Sequence, residues 1–438
     1  MNAKVLSLVL LVFISLNTWV ERLPLAGIDF YHYWGVTKAQ QLSPTSLQNP
    51  YASTGAYANV LNQHAATTDD QILQAANAYR RTLDLTGTPL LYTAFAFLPK
   101  NYSLAIKGFR LVQLVLFVAA IFVIGRLRGG SRGFTLLAIV LSITFSPFLS
   151  DVAVGNLNAI QLFWLAISTL LVEQAQPQTP QQQLRFGVIA LCSFIFLTLF
   201  KPNLLLPLLL LGIVFIAKYG LPRLAVLVPT GVLFTALLVV VTNLCLGSSH
   251  VWLDWYSLVS ASQERLAYPI AAGNYSTTLL LSQLYDIDIY AAVTAVASFL
   301  VISFASVVML TAARQEGKLL QKGWHICLNL LQNSGFIVSS AVTITFALSP
   351  LLWAHYYTLM LLPTLWLMDI RRPWCLANCL SLLAVLCSGG ILVPWINRWL
   401  ELTPELYAAS FMVSWVWVWS GLMVTVLNLP ARAAPANP

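Results

Sequence analysis

A carboxylate, an imidazole and four aromatic rings stand close together in residues 27–34, where the chain leaves its first apolar stretch. The carboxylate belongs to Asp29 and the imidazole to His32. A carboxylate at a membrane face is costly unless it has a partner or a task, whereas aromatic rings are typical of the headgroup level. We therefore predict that Asp29 is the chemical centre of a membrane enzyme. The alternative is an interfacial anchor in which the aspartate caps a helix.

Composition indicates the class of protein. The chain of 438 residues is 58% hydrophobic and only 9% charged, and its mean hydropathy is +0.77. A soluble domain carries about 25% charged residues. We predict an all-α polytopic membrane protein, with a single integral membrane catalytic domain over residues 1–430 and a disordered cytoplasmic tail over residues 431–438.

Residue spacing argues against several kinds of partner. The six cysteines lie in or beside apolar segments, without the spacing of metal ligands or of a disulfide framework. The net charge of +8 comes from scattered basic residues that form no stripe of the kind that binds nucleic acid. We predict no metal, no cofactor and no nucleic-acid partner, and we expect membrane lipids around the chain.

Apolar segments of spanning length predict about 12 transmembrane helices. The first, over residues 4–20, lacks a small-residue cleavage site and is interpreted as an uncleaved anchor. The others are predicted over residues 104–125, 134–149, 157–173, 186–200, 203–217, 224–245, 289–312, 326–348, 356–369, 376–394 and 406–429.

The longest polar stretch, residues 21–103, is predicted to be the first outer loop. Apolar residues at helical spacing predict outer-face juxtamembrane helices over residues 29–42 and 69–84, which would lie on the membrane surface. Thr68 and Gln71 have the spacing of a capping box and predict the start of the second helix.

Two apolar segments are too short for a simple crossing, which takes about 20 residues. Residues 88–99 carry prolines close to each end, and we predict a re-entrant or interfacial segment there. The segments on either side of Lys201-Pro202-Asn203 are also short, and they form either a tight hairpin or one broken helix.

The distribution of basic residues predicts the orientation. More than half of the 23 lysines and arginines fall in short loops on the side that holds both predicted termini. The positive-inside rule makes this side cytoplasmic, so that the long loops over residues 21–103, 150–157 and 246–288 face outward. The sequence contains neither a P-loop nor a Rossmann fingerprint. An enzyme of this kind would work on the outer face of the plasma membrane, with a donor carried on a lipid.

Six short motifs fall at the predicted outer ends of helices, where they would converge on one site. They are Asp29 with its aromatic neighbours, Thr88-Pro89 with Pro99, residues 150–158, Lys201-Pro202-Asn203, residues 273–276 and residues 349–357.

Taken in order, these motifs resemble glycosyltransferase family 87, a group of type-C integral membrane transferases. Asp29, Phe30 and Tyr33 match the start of that family's first outer loop, and residues 88–99 match its proline-led segment. The other matches are the Gly-x-x-Asn of residues 155–158, with Asn156 in place of the family's glutamine, Lys201 with Pro202, Asn274 with Ser276, and Trp353 with His355 and Tyr356.

The resemblance implies transfer of a hexose, often mannose, from a polyprenyl-phosphate donor to a lipid or glycan acceptor, usually with inversion. Such a displacement needs a base for the acceptor hydroxyl and cationic help for the departing phosphate. Asp29 is the predicted base, because it opens a helix whose dipole favours an ionised carboxylate. Asp151 is either an alternative base or a structural cap of its loop.

Four basic groups are predicted to bind the donor phosphate: Lys201, His355, Arg80 and Arg81. Lys201 stands in an otherwise apolar stretch and therefore needs a reason, although a snorkelling lysine at a helix end is the alternative. The alternative interpretation of His355 is an interfacial histidine whose hydrogen bonding is satisfied by a carbonyl group.

Five polar residues are predicted to bind substrate: Tyr33, Asn156, Asn158, Asn274 and Tyr356. For the asparagines the alternative is the turn chemistry of a loop. A transporter or flippase for a lipid-linked saccharide is the competing class, because the break at Lys201 is of a type found in transporters. The halves of the chain show no internal repeat and the polar motifs gather at one face, which favours the enzyme.

Overall fold

The structure, a computed structural model, describes residues 26–44, 47–83, 85–130, 132–143, 145–174, 179–220, 223–262, 268–314, 319–369, 375–388 and 403–429. The predicted anchor at residues 4–20, the predicted tail at 431–438 and the second part of the span predicted over 376–394 lie outside these ranges.

Helices make up nearly all of the regular structure in the described ranges. The α-helices are α1 (Ile28–Leu42), α2 (Thr54–Thr67), α3 (Gln71–Tyr79), α4 (Pro89–Phe95), α5 (Tyr102–Leu127), α6 (Arg132–Ile143), α7 (Ser146–Val154), α8 (Asn158–Gln174), α9 (Pro180–Phe200), α10 (Leu205–Tyr219), α11 (Leu224–Leu246), α12 (Val251–Ser262), α13 (Thr277–Tyr285), α14 (Ile289–Ala313), α15 (Leu319–Leu331), α16 (Ser334–Leu348), α17 (Leu361–Leu367), α18 (Leu376–Cys387) and α19 (Pro404–Leu427). Short 3₁₀ helices occur at Pro202–Leu204, Ile270–Ala272 and Ala354–Met360.

Five helices of the described chain are long and apolar enough to cross a membrane: α5, α9, α11, α14 and α19. Two bent pairs, α7 with α8 and α15 with α16, would raise that number to seven if each pair is one span. The described residues thus confirm a helical integral membrane protein, and the count of about 12 spans stays a prediction.

Several segments predicted as single spans are broken. The segment predicted over residues 326–348 is not one straight helix, because α15 and α16 meet at a bend of 92°. The side chain of Asn333 accepts a hydrogen bond from the backbone N–H of Phe336 and so begins a new helix. The segment predicted over 134–149 is likewise divided between α6 and α7, where Pro147 lies in the first turn of the second helix.

The first predicted outer loop folds as a layer with its own apolar core. α1 to α4 and the first turns of α5 build this core, in which Phe30, Tyr31 and Trp34 are fully buried. The Phe30 ring packs on Phe95 and Phe109 at centroid distances of 5.7 and 4.9 Å. The expectation that these rings form a belt at the headgroup level is therefore wrong, because other parts of the loop cover them.

Two helices of this layer differ from the expectation. The helix predicted over residues 69–84 is shorter, and its predicted capping box is wrong: Asp70 instead accepts hydrogen bonds from Ile72 and Leu73 at the start of α3. Helix α2 was not predicted, since its apolar residues give no strong amphipathic pattern. The short apolar segment after Thr88 forms α4, with Pro89 at its first turn, and packs inside the layer.

Candidate active site

Four of the six motifs line one cavity of about 520 Å³, and Tyr92, which lies between the prolines of a fifth motif, lines it as well. The sixth, Lys201-Pro202-Asn203, lies directly behind its wall, because Lys201 contacts the cavity residue Asn156. The lining groups with polar or aromatic chemistry include Asp29, Tyr33, Arg80, Asn156, His355 and Tyr356.

Asp29 lies in the first turn of α1, with its side chain 17% exposed to the cavity. Its Oδ2 accepts a hydrogen bond of 2.7 Å from the amide nitrogen of Asn156. Its Oδ1 lies 3.4 Å from the guanidinium of Arg80, which also lines the cavity. The carboxylate is thus held by two partners while one side of it stays open to a ligand.

Gly155 lets α1 approach the turn that carries Asn156. Its φ is +70°, and a Cβ atom there would lie 2.6 Å from the Cβ of Phe30. A side chain is excluded on both counts, since positive φ favours glycine and the two atoms would overlap. Asp29 is the neighbour of Phe30 in the chain, so this close contact brings the Asp29 carboxylate within reach of the Asn156 amide.

The orientation of the Asn156 amide follows from its donors. Its Oδ1 accepts hydrogen bonds from the ammonium of Lys201 at 2.8 Å and from the backbone N–H of Leu157 at 2.6 Å. Both groups only donate, so the oxygen must face them and the NH₂ group must face Asp29 and His355. The amide therefore links the ammonium behind the wall to the carboxylate in the cavity.

His355 completes this set as a neutral imidazole. Its Nε2 lies 3.1 Å from the amide nitrogen of Asn156 and 3.9 Å from Asp29. Because the amide nitrogen only donates, Nε2 accepts and the ring proton is on Nδ1. Burial lowers the pKa of His355 to about 4. The charge of Asp29 acts to raise this pKa, and the charge of Lys201 acts to lower it. At neutral pH the ring is therefore a hydrogen-bonding group without charge.

Lys201 follows the last residue of α9 and does not line the cavity. Its ammonium lies 4.9 Å from the ring centroid of Tyr356, a cation–π distance. Thr88 holds this point by donating to the backbone oxygen of Phe200 at 2.8 Å. The contact joins the Thr-Pro motif to the lysine motif, although more than 100 residues separate them.

Asp151 serves the fold of the turn. Its carboxylate is fully buried and accepts from the backbone N–H groups of Asn158 and Ala159 at the start of α8, at 3.3 and 3.0 Å. The amide of Asn158 donates to the same carboxylate at 2.7 Å. Neither Asp151 nor Asn158 lines the cavity. This geometry supports the cap interpretation of Asp151.

Asn274 joins two loops. Its amide nitrogen donates to the backbone oxygens of Tyr268 and Pro350, both at 3.0 Å. Its amide oxygen accepts from the backbone N–H groups of Ser276 and Leu352. All of these partners are backbone groups, so the side chain is engaged in holding together the loops that flank His355.

The two arginines after α3 have different positions. Arg80 lines the cavity, and its side chain is 33% exposed. Arg81 is exposed and does not line the cavity. Of the groups predicted to bind phosphate, Arg80 and His355 therefore face the cavity, while Lys201 acts on it through Asn156.

Sequence reasoning missed two residues of α5 that support the site. Gln113 donates to the backbone oxygen of Asn156 at 2.6 Å, and Arg110 donates to the backbone oxygens of Val152 and Ala153. Both are buried polar groups within an apolar helix. Polar residues inside a span are a signal of function or of a specific contact, and this signal was present in the sequence.

The described residues offer no group of three or more histidine, cysteine, aspartate or glutamate side chains that could hold a metal ion. The cavity instead offers one carboxylate, one guanidinium, the imidazoles of His32 and His355, and several aromatic rings. Such a set can take a proton from a hydroxyl group, pair with an anion and pack against a sugar ring.

The comparison with family models places this helical membrane protein among the integral membrane glycosyltransferases. The model of glycosyltransferase family 87 matches residues 87–340, more than half of the chain, and the protein belongs to that family. The resemblance found in the motifs is confirmed. Asp29, Arg80 and His355 lie outside the matched range, and the fold brings them to Asn156, which lies inside it. Neither the curated proteins nor the solved structures contain a match to the chain.

Proposed function

We propose that this glycosyltransferase moves a hexose, with mannose as the first candidate, from a polyprenyl-phosphate carrier to a lipid or glycan acceptor on the outer face of the plasma membrane. The observation that carries the proposal is the open carboxylate of Asp29 with the guanidinium of Arg80 at 3.4 Å in one cavity. These are the base and the cation that a displacement at a sugar phosphate requires.

The proposed reaction is a single displacement. Asp29 takes the proton of the acceptor hydroxyl, whose oxygen forms a bond to the anomeric carbon of the sugar. The bond between that carbon and the phosphate oxygen breaks, and the electron pair leaves with the polyprenyl phosphate. One displacement inverts the anomeric configuration, and the new negative charge on the phosphate is stabilised by a nearby cation.

Arg80 is the proposed partner of the departing phosphate, because its guanidinium faces the cavity and can form charge-assisted hydrogen bonds. When a phosphate binds, this arginine can exchange its contact with Asp29 for one with the phosphate, which frees the carboxylate to act as a base. His355 can contribute only a neutral donor, since its Nε2 is taken by Asn156.

Tyr33 and Tyr356 are the proposed sugar contacts, because their rings line the cavity. Aromatic rings pack on the apolar faces of sugars while hydroxyl groups bind their edges. We assign no sugar contact to Asn158 or Asn274, whose side chains are engaged in the fold.

The test uses the purified full-length protein in lipid nanodiscs with a lipid or glycan acceptor. Polyprenyl-phosphate mannose and polyprenyl-phosphate glucose are offered in parallel, and the nucleotide sugars of the same hexoses serve as controls. We expect transfer from a lipid-carried sugar and none from a nucleotide sugar, because the described fold shows no nucleotide-binding motif. Turnover with a nucleotide sugar in the absence of a lipid carrier would contradict the proposed donor.

A further inference from the structure

Helix α1 carries a second set of polar residues, on a side of the helix away from Asp29. The indole of Trp34 donates to the backbone oxygen of Pro99 at 3.0 Å, and the amide of Gln41 donates to that of Ala96 at 3.2 Å. Lys38 lies four residues after Trp34 and three residues before Gln41, so it shares their helix face. It therefore stands beside the segment that ends in Lys100.

Lys38 is an unusual lysine. It is only 5% exposed, and within the described residues its ammonium makes no hydrogen bond or ion pair. Burial lowers the pKa of Lys38, and the neighbouring charge of Lys100 lowers it further. A lysine whose side chain is mostly covered, beside another cation and without an anionic partner, is stabilised when an anion joins it.

Two further titratable groups, His64 and Asp70, interact electrostatically in this part of the layer. Burial lowers the pKa of His64, the charge of Lys38 lowers it further, and the charge of Asp70 acts in the opposite direction. The Asp70 carboxylate already accepts from the hydroxyl and the backbone N–H of Ser103, at 2.6 and 3.0 Å, besides capping α3. The nearby acid is therefore committed to its own contacts and does not neutralise Lys38.

Apolar side chains border the same place. Phe97 is 85% exposed and Leu42 is 41% exposed. Leu42 directly follows Gln41 and Phe97 directly follows Ala96, and these two preceding residues are joined by a hydrogen bond. An exposed aromatic ring beside lysines is typical of a membrane surface, where the ring enters the acyl boundary and the ammonium groups meet lipid phosphates.

We propose that Lys38, Lys100 and His64 bind the phosphate of an anionic phospholipid at the membrane surface, with Phe97 inserted beside it. The lipid phosphate supplies the anion that Lys38 lacks, and the imidazole of His64 donates one further hydrogen bond. The site is separate from the catalytic cavity, none of whose lining residues belongs to it. The proposal does not depend on the proposed sugar donor.

The experiment measures thermal unfolding of the purified full-length protein in a neutral detergent. Three additives are titrated: a short-chain phosphatidylglycerol, a phosphatidylcholine of the same chain length, and inorganic phosphate. We expect a concentration-dependent rise of Tm with phosphatidylglycerol alone. Equal shifts with phosphatidylcholine would overturn the role of charge, and equal shifts with inorganic phosphate would overturn the assignment to a lipid.

Variants locate the effect. Lys38→Met should weaken the response to phosphatidylglycerol about ten- to hundredfold, the range of a charge-assisted hydrogen bond. Without lipid this variant should be at least as stable as the parent protein, because an uncompensated charge has been removed.

Lys100→Met changes an exposed side chain and provides a second test should Lys38→Met fail to fold. Lys107→Met, an exposed lysine on α5, is the matched control and should respond like the parent. Full affinity for phosphatidylglycerol in Lys100→Met, and in any folded Lys38→Met, would overturn the proposal.

Discussion

The ammonium of Lys201 lies 2.8 Å from the side-chain oxygen of Asn156. This contact determines which way the amide points, and the opposite end of the amide donates to the Asp29 carboxylate at 2.7 Å. A lysine at the end of one helix thereby positions a carboxylate on another without touching it.

Asp29→Asn should lower the rate of sugar transfer by about 10²–10⁴, the usual cost of losing a general base. The asparagine keeps the size of the side chain, and no side chain caps the start of α1, so expression and donor binding should be normal. Turnover is measured with a polyprenyl-phosphate sugar, and Asp69→Asn, an exposed acid of the same outer layer, is the control. Near-normal turnover in Asp29→Asn would remove the base assignment.

Lys201→Met should lower kcat more than it raises the KM for the donor, because the lysine acts through Asn156. Direct contact with the donor phosphate would instead appear mainly in KM. The loss of one charge-assisted hydrogen bond corresponds to about 1.5–3 kcal/mol.

A double-mutant cycle with Asn156→Ala separates these two routes. If the lysine acts through the amide, Lys201→Met should change little further once the amide is gone. Strictly additive losses in the double variant would show that Lys201 acts independently of Asn156.

His355 should make folding stability depend on pH in a defined window. Burial lowers its pKa from 6.5 to about 4, so between these values the unfolded state binds more protons than the folded state. Stability contributed by the neutral ring is therefore present above pH 6.5 and is lost as the pH falls towards 4, by up to about 3 kcal/mol. Thermal unfolding of the parent protein and of His355→Gln should diverge in that window. The exposed His250→Gln is the control, and parallel curves for all three proteins would contradict the burial of a neutral His355.

Gly155→Ala should damage both stability and turnover, because its Cβ would overlap Phe30 and displace Asp29 from Asn156. Backbone strain at positive φ alone is worth about 1 kcal/mol or more. Gly129→Ala isolates that part, since Gly129 has φ of +66° but no atom within 4 Å of an added Cβ. We expect a lower Tm and a lower kcat in Gly155→Ala than in Gly129→Ala. Equal effects would show that the close approach to Phe30 is unimportant.

The proposed orientation places Val60 and Arg128 on opposite sides of the membrane, with Val60 outside. Single cysteines at these two positions, in a chain whose six native cysteines are replaced, should differ in their labelling by an impermeant maleimide applied to intact cells. Labelling of both positions from the same side would contradict the orientation and the proposed outer-face site with it.

The class of the protein and several residues of the cavity were accessible from the sequence. Helix formation and membrane insertion depend on local composition, so the apolar lengths of α5, α9, α11, α14 and α19 were recognisable without a structure. Asp29 was recognisable for the same reason, because an acid beside an apolar segment is conspicuous wherever the chain later takes it. Gln113 and Arg110 carried a similar signal within α5 and were overlooked.

Only the tertiary structure decided what each of these residues does. Arg80 and Asn156 reach Asp29 across 51 and 127 residues of chain, and such distances are set by packing and not by local pattern. Packing made Asp151, the alternative base or cap by sequence, the buried cap of α8. It also placed Lys201 behind the cavity wall and covered the aromatic rings of α1. A side chain's chemistry depends on which partners and how much water surround it, and those are properties of the assembled fold.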